Sequence, residues 1–316
     1  MVALLTALSL VAPTLVRAAD PRQPQSTPAQ AESRVMKMAA GTLVIVGGGL
    51  LPEVIRDRFL ELAGKNARLV VIPTASRKAE AGKLETLPSY PVWMALEQER
   101  KVRSVVFLHT RDPKEANDPT FVKPLTVANA VWFSGGDQSL LTQAYKGTAV
   151  ETELRRLLAR GGVVGGTSAG AAVMSDLMIR FGNPVAEVGA GFGFLSGIVV
   201  DQHFNERNRL TRLLGVLAKY PRYFGLGIDE QTGVVVQGEC LTVLGKHNVR
   251  FCRPTAEPTR PEVKVFASGD RIDLATFRQP VMTVAAKPSE PKPAKPIQTP
   301  PPARPVIPPA AASAMP

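Results

Sequence analysis

The run VVGGTSAGAAVMS (163–175) is the most informative part of the sequence for the fold. It begins with β-branched residues and glycine, as a buried strand does, and ends in small and apolar residues typical of a helix. Between them lies Gly166-Thr167-Ser168-Ala169-Gly170, the G-x-S-x-G pattern of a sharp strand-to-helix turn. We therefore predict that Ser168 is a nucleophile at the carboxyl end of a buried strand. The helix start places the backbone N–H of Ala169 where an oxyanion would form.

Apolar runs typical of strands alternate with helical periods along the rest of the chain. Before Ser168, strand-like runs span 42–49, 68–76, 102–110 and 129–136, and helix-like segments span 52–64, 91–100 and about 138–160. Such βα units predict a mostly parallel sheet buried between helices. Later, a helix over about 205–219 precedes strand-like runs at 225–229, 233–238, 239–245 and 249–253, which predict an antiparallel end to the sheet. The expected fold class is α/β, a three-layer sandwich.

The two ends of the chain differ from the central region, 40–285, which we expect to be the folded domain. Residues 1–19 are apolar and then small, which predicts a signal peptide and a secreted or periplasmic protein. Residues 20–39 are polar and rich in Pro and Gln, as linkers are. Residues 286–316 are rich in proline and lack aromatic side chains, which predicts a disordered tail. Beyond the N-terminus, no apolar run reaches the ~18 residues of a membrane-spanning helix, so we expect no stable membrane span.

The composition narrows the classes of function. Three histidines and two cysteines are too few for a Cys/His metal cluster, so we expect no site of that kind. The formal net charge of +11 favours an acidic partner. Only 6% of the residues are aromatic, so a stacking platform for nucleic acid is not expected. Gly47-Gly48-Gly49 lacks the spacing of a dinucleotide-binding loop. Cys240 and Cys252 flank a turn, and the sequence leaves open whether they form a disulfide or remain thiols.

A serine nucleophile needs a base, and the chain offers three histidines. His109 follows a strand with no other catalytic residue type nearby, and His247 lies in a predicted turn. His203 ends a predicted strand, where open α/β sheets place their ligands, so we predict that it is the base. A carboxylate should orient the imidazole. Asp229 and Glu230 end another short strand, and their spacing does not choose between them.

The run Ser134-Gly135-Gly136-Asp137-Gln138 ends a predicted strand and opens a helix. The backbone N–H of Gly136 is therefore a candidate second donor to the oxyanion. Asp137 fits the N-cap of that helix, which is a structural role.

Three arginines follow His203 closely, at positions 207, 209 and 212, where we expect a helix to begin. Arginine at a helix N-terminus opposes the helix dipole, so its presence there needs a reason. Guanidinium groups suit the binding of carboxylates, which favours a substrate role. The alternative is a solvated face that pairs with Glu206.

Together these segments resemble the S51 family of serine peptidases. The matching segments, in the family's order, are GTLVIVGGG (41–49), FSGGDQ (133–138), GGTSAGAAVMS (165–175), DQHFNERNRLTRLL (201–214) and GLGIDE (225–230). The fourth segment is similar to the branch of the family that degrades cyanophycin, a poly-aspartate with arginine on each side-chain carboxyl. The resemblance implies a flavodoxin-like fold similar to the class I glutamine amidotransferases.

The resemblance also implies roles for individual residues. Ser168 would be the nucleophile, His203 the base and Glu230, rather than Asp229, the third member of the triad. The implied substrate-binding residues are Gln138, Asp201, Gln202, Arg207, Arg209 and Arg212. Asp201 or another acid would receive the guanidinium of the substrate. The family implies a homodimer without a cofactor or a metal, which hydrolyses cyanophycin by exo-cleavage to β-Asp-Arg dipeptides.

Two alternatives remain at this level. The chain could be an S51 dipeptidase acting on short aspartyl or isoaspartyl peptides, although the arginine cluster favours the polymer. It could also be a catalytically silent protein that uses its positive charge to hold an acidic polymer.

Overall fold

The computed structural model describes residues 41–79, 83–255 and 261–278. The predicted signal peptide, the predicted linker over 20–39 and the proline-rich tail lie outside these ranges. Within them, no helix combines the length and the apolar character needed to cross a membrane.

An eight-stranded sheet forms the centre of the fold. Its parallel half contains, in spatial order, β1 (Thr42–Val46), β5 (Val163–Thr167), β4 (Ala130–Phe133), β2 (Arg68–Ile72) and β3 (Ser104–Phe107). On the other side of β1, the antiparallel strands are β10 (Thr232–Gln237), β11 (Cys240–Gly245) and β14 (Arg271–Asp273). All five residues of β1 are buried, as expected of a strand covered on both faces.

Helices cover both faces of this sheet. One face is packed by α1 (Glu53–Ala63) and α2 (Tyr90–Gln98). The other is packed by α3 (Pro119–Val127), α4 (Gln138–Tyr145), α5 (Ala149–Ala159) and α6 (Ala169–Ala172). Alternate residues of β1 serve the two cores, since Val44 belongs to the first and Ile45 to the second. The predicted three-layer α/β class is therefore confirmed.

The later strands do not all extend the main sheet. A separate four-stranded sheet contains β8 (Ile198–Gln202), β9 (Phe224–Ile228), β12 (Val249–Arg253) and β13 (Glu262–Phe266). The expectation that 225–229 and 249–253 join one antiparallel end was wrong, because β9 pairs in parallel with β8 and β12 pairs with β9. Cys240 and Cys252 consequently lie in different sheets, and both are free thiols.

Two helix predictions also need correction. The segment 138–160 is two helices, because the chain turns between them at Gly147, which has a φ of 78°. The helix predicted over about 205–219 starts later, as α7 (Leu210–Lys219), because Asn208 has a positive φ of 50°, which an α-helix does not accommodate. Arg207 and Arg209 therefore precede the helix. The chain also contains the hairpin of β6 (Leu177–Phe181) and β7 (Glu187–Ala190), the helix α8 (Leu274–Arg278), and short 3-10 helices at Leu84–Thr86 and Glu115–Asn117.

Candidate active site

Ser168 lies at the turn between β5 and α6. Its backbone has φ 54° and ψ −110°, a conformation that serine rarely adopts. Its N–H donates to the carbonyl oxygen of Val46 at 3.0 Å, which fixes the turn to the neighbouring strand. Glycine is required on both sides, since a Cβ at Gly166 would lie 2.6 Å from the oxygen of Gly170, and a Cβ at Gly170 would lie 2.5 Å from that of Phe133.

A hydrogen-bonded chain of three side chains starts at this serine. The Oγ of Ser168 lies 2.8 Å from Nε2 of His203, and Nδ1 of His203 lies 2.5 Å from Oε1 of Glu230. His203 is 8% exposed, so water has little access to the imidazole. The three groups have the order of a nucleophile, a base and an orienting carboxylate.

Asp229, the other carboxylate considered from the sequence, has different contacts. Its oxygens accept hydrogen bonds from the backbone N–H groups of Asn205 at 3.1 Å and Asn248 at 3.3 Å. The guanidinium of Arg250 lies 3.0 Å away. Asp229 therefore links the turn after His203 to the beginning of β12 (Val249–Arg253), and it does not contact the imidazole.

The glycine loop after β1 makes room for the imidazole, a role that the sequence reasoning missed. A Cβ at Gly48 would lie 2.3 Å from Cε1 of His203, and one at Gly49 would lie 2.9 Å from Oε2 of Glu230. The carbonyl oxygen of Gly47 accepts the backbone N–H of His203 at 2.7 Å. The three consecutive glycines were the available signal, but the imidazole that requires them is distant in sequence.

Burial lowers the pKa of His203 below its ordinary value, and the hydrogen bond with Glu230 opposes this shift. The positive charges of Arg207 and Arg209 lower it further. The imidazole is therefore neutral at neutral pH, which is the form that accepts a proton from a hydroxyl.

Two backbone N–H groups near Ser168 are available to an oxyanion. The N–H groups of Gly136 and Ala169 donate no hydrogen bond to any other residue in the described part of the chain. Gly135 approaches the serine closely, since a Cβ there would lie 3.3 Å from the Cβ of Ser168. Gly136 has a φ of 144°, and a Cβ there would lie 2.0 Å from the oxygen of Ala75.

A cavity of about 810 Å³ opens beside Ser168 and is rich in positive charge. Its lining contains five of the residues implied as substrate-binding, namely Gln138, Gln202, Arg207, Arg209 and Arg212. It also contains the cations Arg77, Lys78 and Arg180, which the sequence reasoning did not single out. Among the described residues, no group of His, Cys, Asp or Glu is arranged to hold a metal ion.

Asp201 lies behind the cavity and not in its lining. Its side chain is fully buried, and the guanidinium of Arg212 binds both oxygens, with Nε 3.0 Å from Oδ2. Arg209 contacts the same carboxylate at 3.5 Å and donates to the carbonyl oxygen of Gln202 at 2.6 Å. The expectation that Asp201 receives a substrate guanidinium does not fit, because these arginines already occupy it. Asp201 positions them instead.

Two details of the lining affect its charge and rigidity. Burial lowers the pKa of Arg209 to about 10, so this arginine remains charged at neutral pH.

The Nε2 of Gln138 donates to the carbonyl oxygens of Ile179 at 2.7 Å and Arg180 at 2.6 Å. Gln138 therefore ties α4 to the β6–β7 hairpin, which forms one wall of the cavity.

The model of peptidase family S51 matches residues 33–244, about two thirds of the chain. The chain belongs to peptidase family S51. It is 33% identical to the cyanophycinase of Geminocystis herdmanii over 228 residues, which cover 68% of this chain and 81% of that one. It is 32% identical to the cyanophycinase of a Nostoc species over 245 residues, which cover 72% and 79% of the two chains.

A solved structure is similar in fold. The crystal structure of a peptidase from an acI-B1 actinobacterium superposes with a TM-score of 0.59 at 24% identity, and covers 74% of this chain and 96% of its own. Membership of S51 makes the protein a peptidase, and this comparison agrees with its α/β architecture.

Proposed function

We propose that the protein is a serine exopeptidase that hydrolyses cyanophycin to β-Asp-Arg dipeptides. The observation that carries this proposal is the Ser168–His203–Glu230 chain, with separations of 2.8 and 2.5 Å, beside a cavity lined by arginine. The two relatives described above are named cyanophycinases and support the choice of substrate.

The reaction starts with attack of the Ser168 Oγ on a backbone carbonyl carbon of the poly-aspartate. Nε2 of His203 takes the hydroxyl proton, and Glu230 stabilises the imidazolium. The N–H groups of Gly136 and Ala169 hold the negative oxygen of the tetrahedral intermediate. His203 then gives its proton to the leaving backbone amine, and the C–N bond breaks.

Water completes the cycle. His203 removes a proton from water, whose oxygen attacks the acyl-enzyme ester, and the Ser168 oxygen leaves with the proton from His203. Only backbone amide bonds are cut. The bond between each aspartate side chain and its arginine survives, so the released unit is β-Asp-Arg.

The charge of the cavity suits this polymer. Each arginine of cyanophycin carries a free α-carboxylate, and a chain end carries one more. The described lining has six cationic side chains, which are those of Arg77, Lys78, Arg180, Arg207, Arg209 and Arg212. Guanidinium groups bind carboxylates through two parallel N–H bonds, so this lining suits a polymer rich in carboxylates.

Measurement of dipeptide release tests the proposal. Purified protein is incubated with cyanophycin, and β-Asp-Arg is quantified for the wild type, Ser168→Ala and Ser196→Ala. Ser196 is an exposed serine outside the cavity lining, so its variant controls for the substitution. We expect wild-type release, an unchanged Ser196→Ala rate, and a loss of about 10⁴-fold or more in Ser168→Ala.

Other outcomes assign the function differently. Cleavage of short isoaspartyl peptides without release from the polymer would indicate a dipeptidase. An absence of turnover on either substrate, with retained binding of the polymer, would indicate a catalytically silent binding protein.

We further propose that the protein is exported and acts as a homodimer on polymer outside the cytoplasm. The apolar and then small residues of 1–19 support export. A fusion of residues 1–40 to alkaline phosphatase should be active, because that reporter folds only after export. An inactive fusion would refute export, and a monomer mass in light scattering would refute the dimer.

A further inference from the structure

The proposed substrate carries a cation as well as carboxylates. Each arginine side chain of cyanophycin ends in a guanidinium, and this group must enter or pass a cavity that is lined by six cationic residues. Like charges repel in a partly buried site more strongly than in water. A carboxylate on the cavity wall would offset this repulsion and favour binding of the arginine side chain.

Most nearby carboxylates are already engaged. Asp201 is enclosed by Arg209 and Arg212 and does not reach the cavity. Glu230 binds the imidazole of His203, and Glu187 pairs with Arg180 at 3.0 Å. Of the described residues that line the cavity, Asp137 is the one with a carboxylate.

The carboxylate of Asp137 is held in place, and its side chain is 36% exposed. Oδ1 accepts the backbone N–H of Ser139 at 2.9 Å and caps α4, and the backbone N–H of Asp137 donates to the oxygen of Ala75 at 2.8 Å. The nearest cation to Oδ2 is Nη2 of Arg77, at 3.8 Å. The Arg77 side chain is 84% exposed, so this ion pair is weak and easily displaced.

We propose that Oδ2 of Asp137 binds the guanidinium of a substrate arginine, and that Arg77 moves away when it does. This inference rests on the proposed function and names the residue that recognises the arginine side chain of the substrate. The approach of Arg77 to 3.8 Å indicates that a guanidinium can reach Oδ2. Because Asp137 follows Gly136 directly, the arginine would be held beside the proposed oxyanion donor.

The test compares two synthetic oligomers that differ only in charge. One is a short oligomer of β-Asp-Arg, and in the other citrulline replaces arginine, which exchanges the guanidinium for a neutral urea of the same shape. The variant Asp137→Asn keeps a side chain that caps helices well but removes the charge. Asp118→Asn is the matched control, because Asp118 caps α3 in the same way and lies outside the cavity lining.

We expect the wild type and Asp118→Asn to prefer the arginine oligomer by at least tenfold in kcat/KM, as a charged hydrogen bond would give. In Asp137→Asn the preference should disappear, mainly through a higher KM for the arginine oligomer. An unchanged preference in Asp137→Asn would overturn the assignment of the subsite while leaving the proposed function intact.

A binding measurement separates this inference from catalysis. The inactive Ser168→Ala protein is titrated with β-Asp-Arg and with β-Asp-citrulline, with and without Asp137→Asn. Tighter binding of β-Asp-Arg that depends on Asp137 would support the subsite, even if the polymer were not cut. Equal binding of the two dipeptides would overturn it.

Discussion

Replacing Gly48 with alanine should inactivate the enzyme without unfolding it. The added Cβ would lie 2.3 Å from Cε1 of the His203 ring, whereas ordinary contacts begin near 3.4 Å. The ring or the loop must therefore move by about 1 Å. A displacement of this size is enough to break the 2.8 Å hydrogen bond between Nε2 and the Ser168 Oγ. Misplacement of a catalytic group by 1 Å costs about 100-fold in rate, and we expect that loss in kcat.

The control is Gly64→Ala, which separates backbone strain from displacement of the imidazole. Gly64 also has a positive φ, 83°, but no atom lies within 4 Å of a Cβ placed there. Both variants should lose about 1–3 kcal/mol of unfolding free energy, because alanine is strained at positive φ. The assays are dipeptide release from cyanophycin, labelling of Ser168 by a fluorophosphonate, and thermal melting.

Only Gly48→Ala should lose turnover and labelling by the serine-reactive probe. If Gly48→Ala were folded and its kcat stayed within threefold of that of Gly64→Ala, the imidazole would not depend on the space at Gly48.

Three further substitutions test other parts of the site. Glu230→Gln should lower kcat by about 10⁴-fold. Because the carboxylate raises the pKa of His203, its loss should also move the acid limb of the kcat/KM profile to lower pH. An acid limb that did not move would contradict the contact between Glu230 and His203. Asp201→Asn leaves Arg212 buried without its ion-pair partner and should cost about 3–5 kcal/mol in urea unfolding, where a loss under about 1 kcal/mol would speak against its positioning role. Gly136→Ala should displace a proposed oxyanion donor and lower kcat by about 100-fold with little change in KM, and a kcat near that of the wild type would exclude that donor.

Features that depend on local sequence could be predicted well. The strand, turn and helix around Ser168 follow from β-branched residues, flanking glycines and a run of small residues, all within 163–175. The helix predicted over 52–64 is present as Glu53–Ala63 for the same reason, because its apolar spacing lies within a few turns. Ser168 and His203 were expected to meet because each follows a buried strand, and the structure places them 2.8 Å apart.

Features that depend on distant partners could not be predicted from the sequence. The residues of 225–229 read as a strand, but nothing local reveals that β8 in a second sheet is a partner. Asp229 and Glu230 are neighbours of the same charge. Their roles differ only because Arg250 and Asn248 contact Asp229, whereas the imidazole of His203 contacts Glu230. Similarly, the sequence could not show that Asp201 is occupied by two arginines of the chain itself.

The backbone conformation of Ser168 has a consequence for how the sequence can change. At φ 54° and ψ −110°, a serine costs the fold about 1–3 kcal/mol that a glycine would recover. Stability alone would therefore favour glycine at this position, which also removes the hydroxyl. With serine at position 168, the protein is less stable than the same fold would be with glycine there. The strain at this turn is therefore the stability that the fold gives up to hold a hydroxyl where the proposed nucleophile must lie.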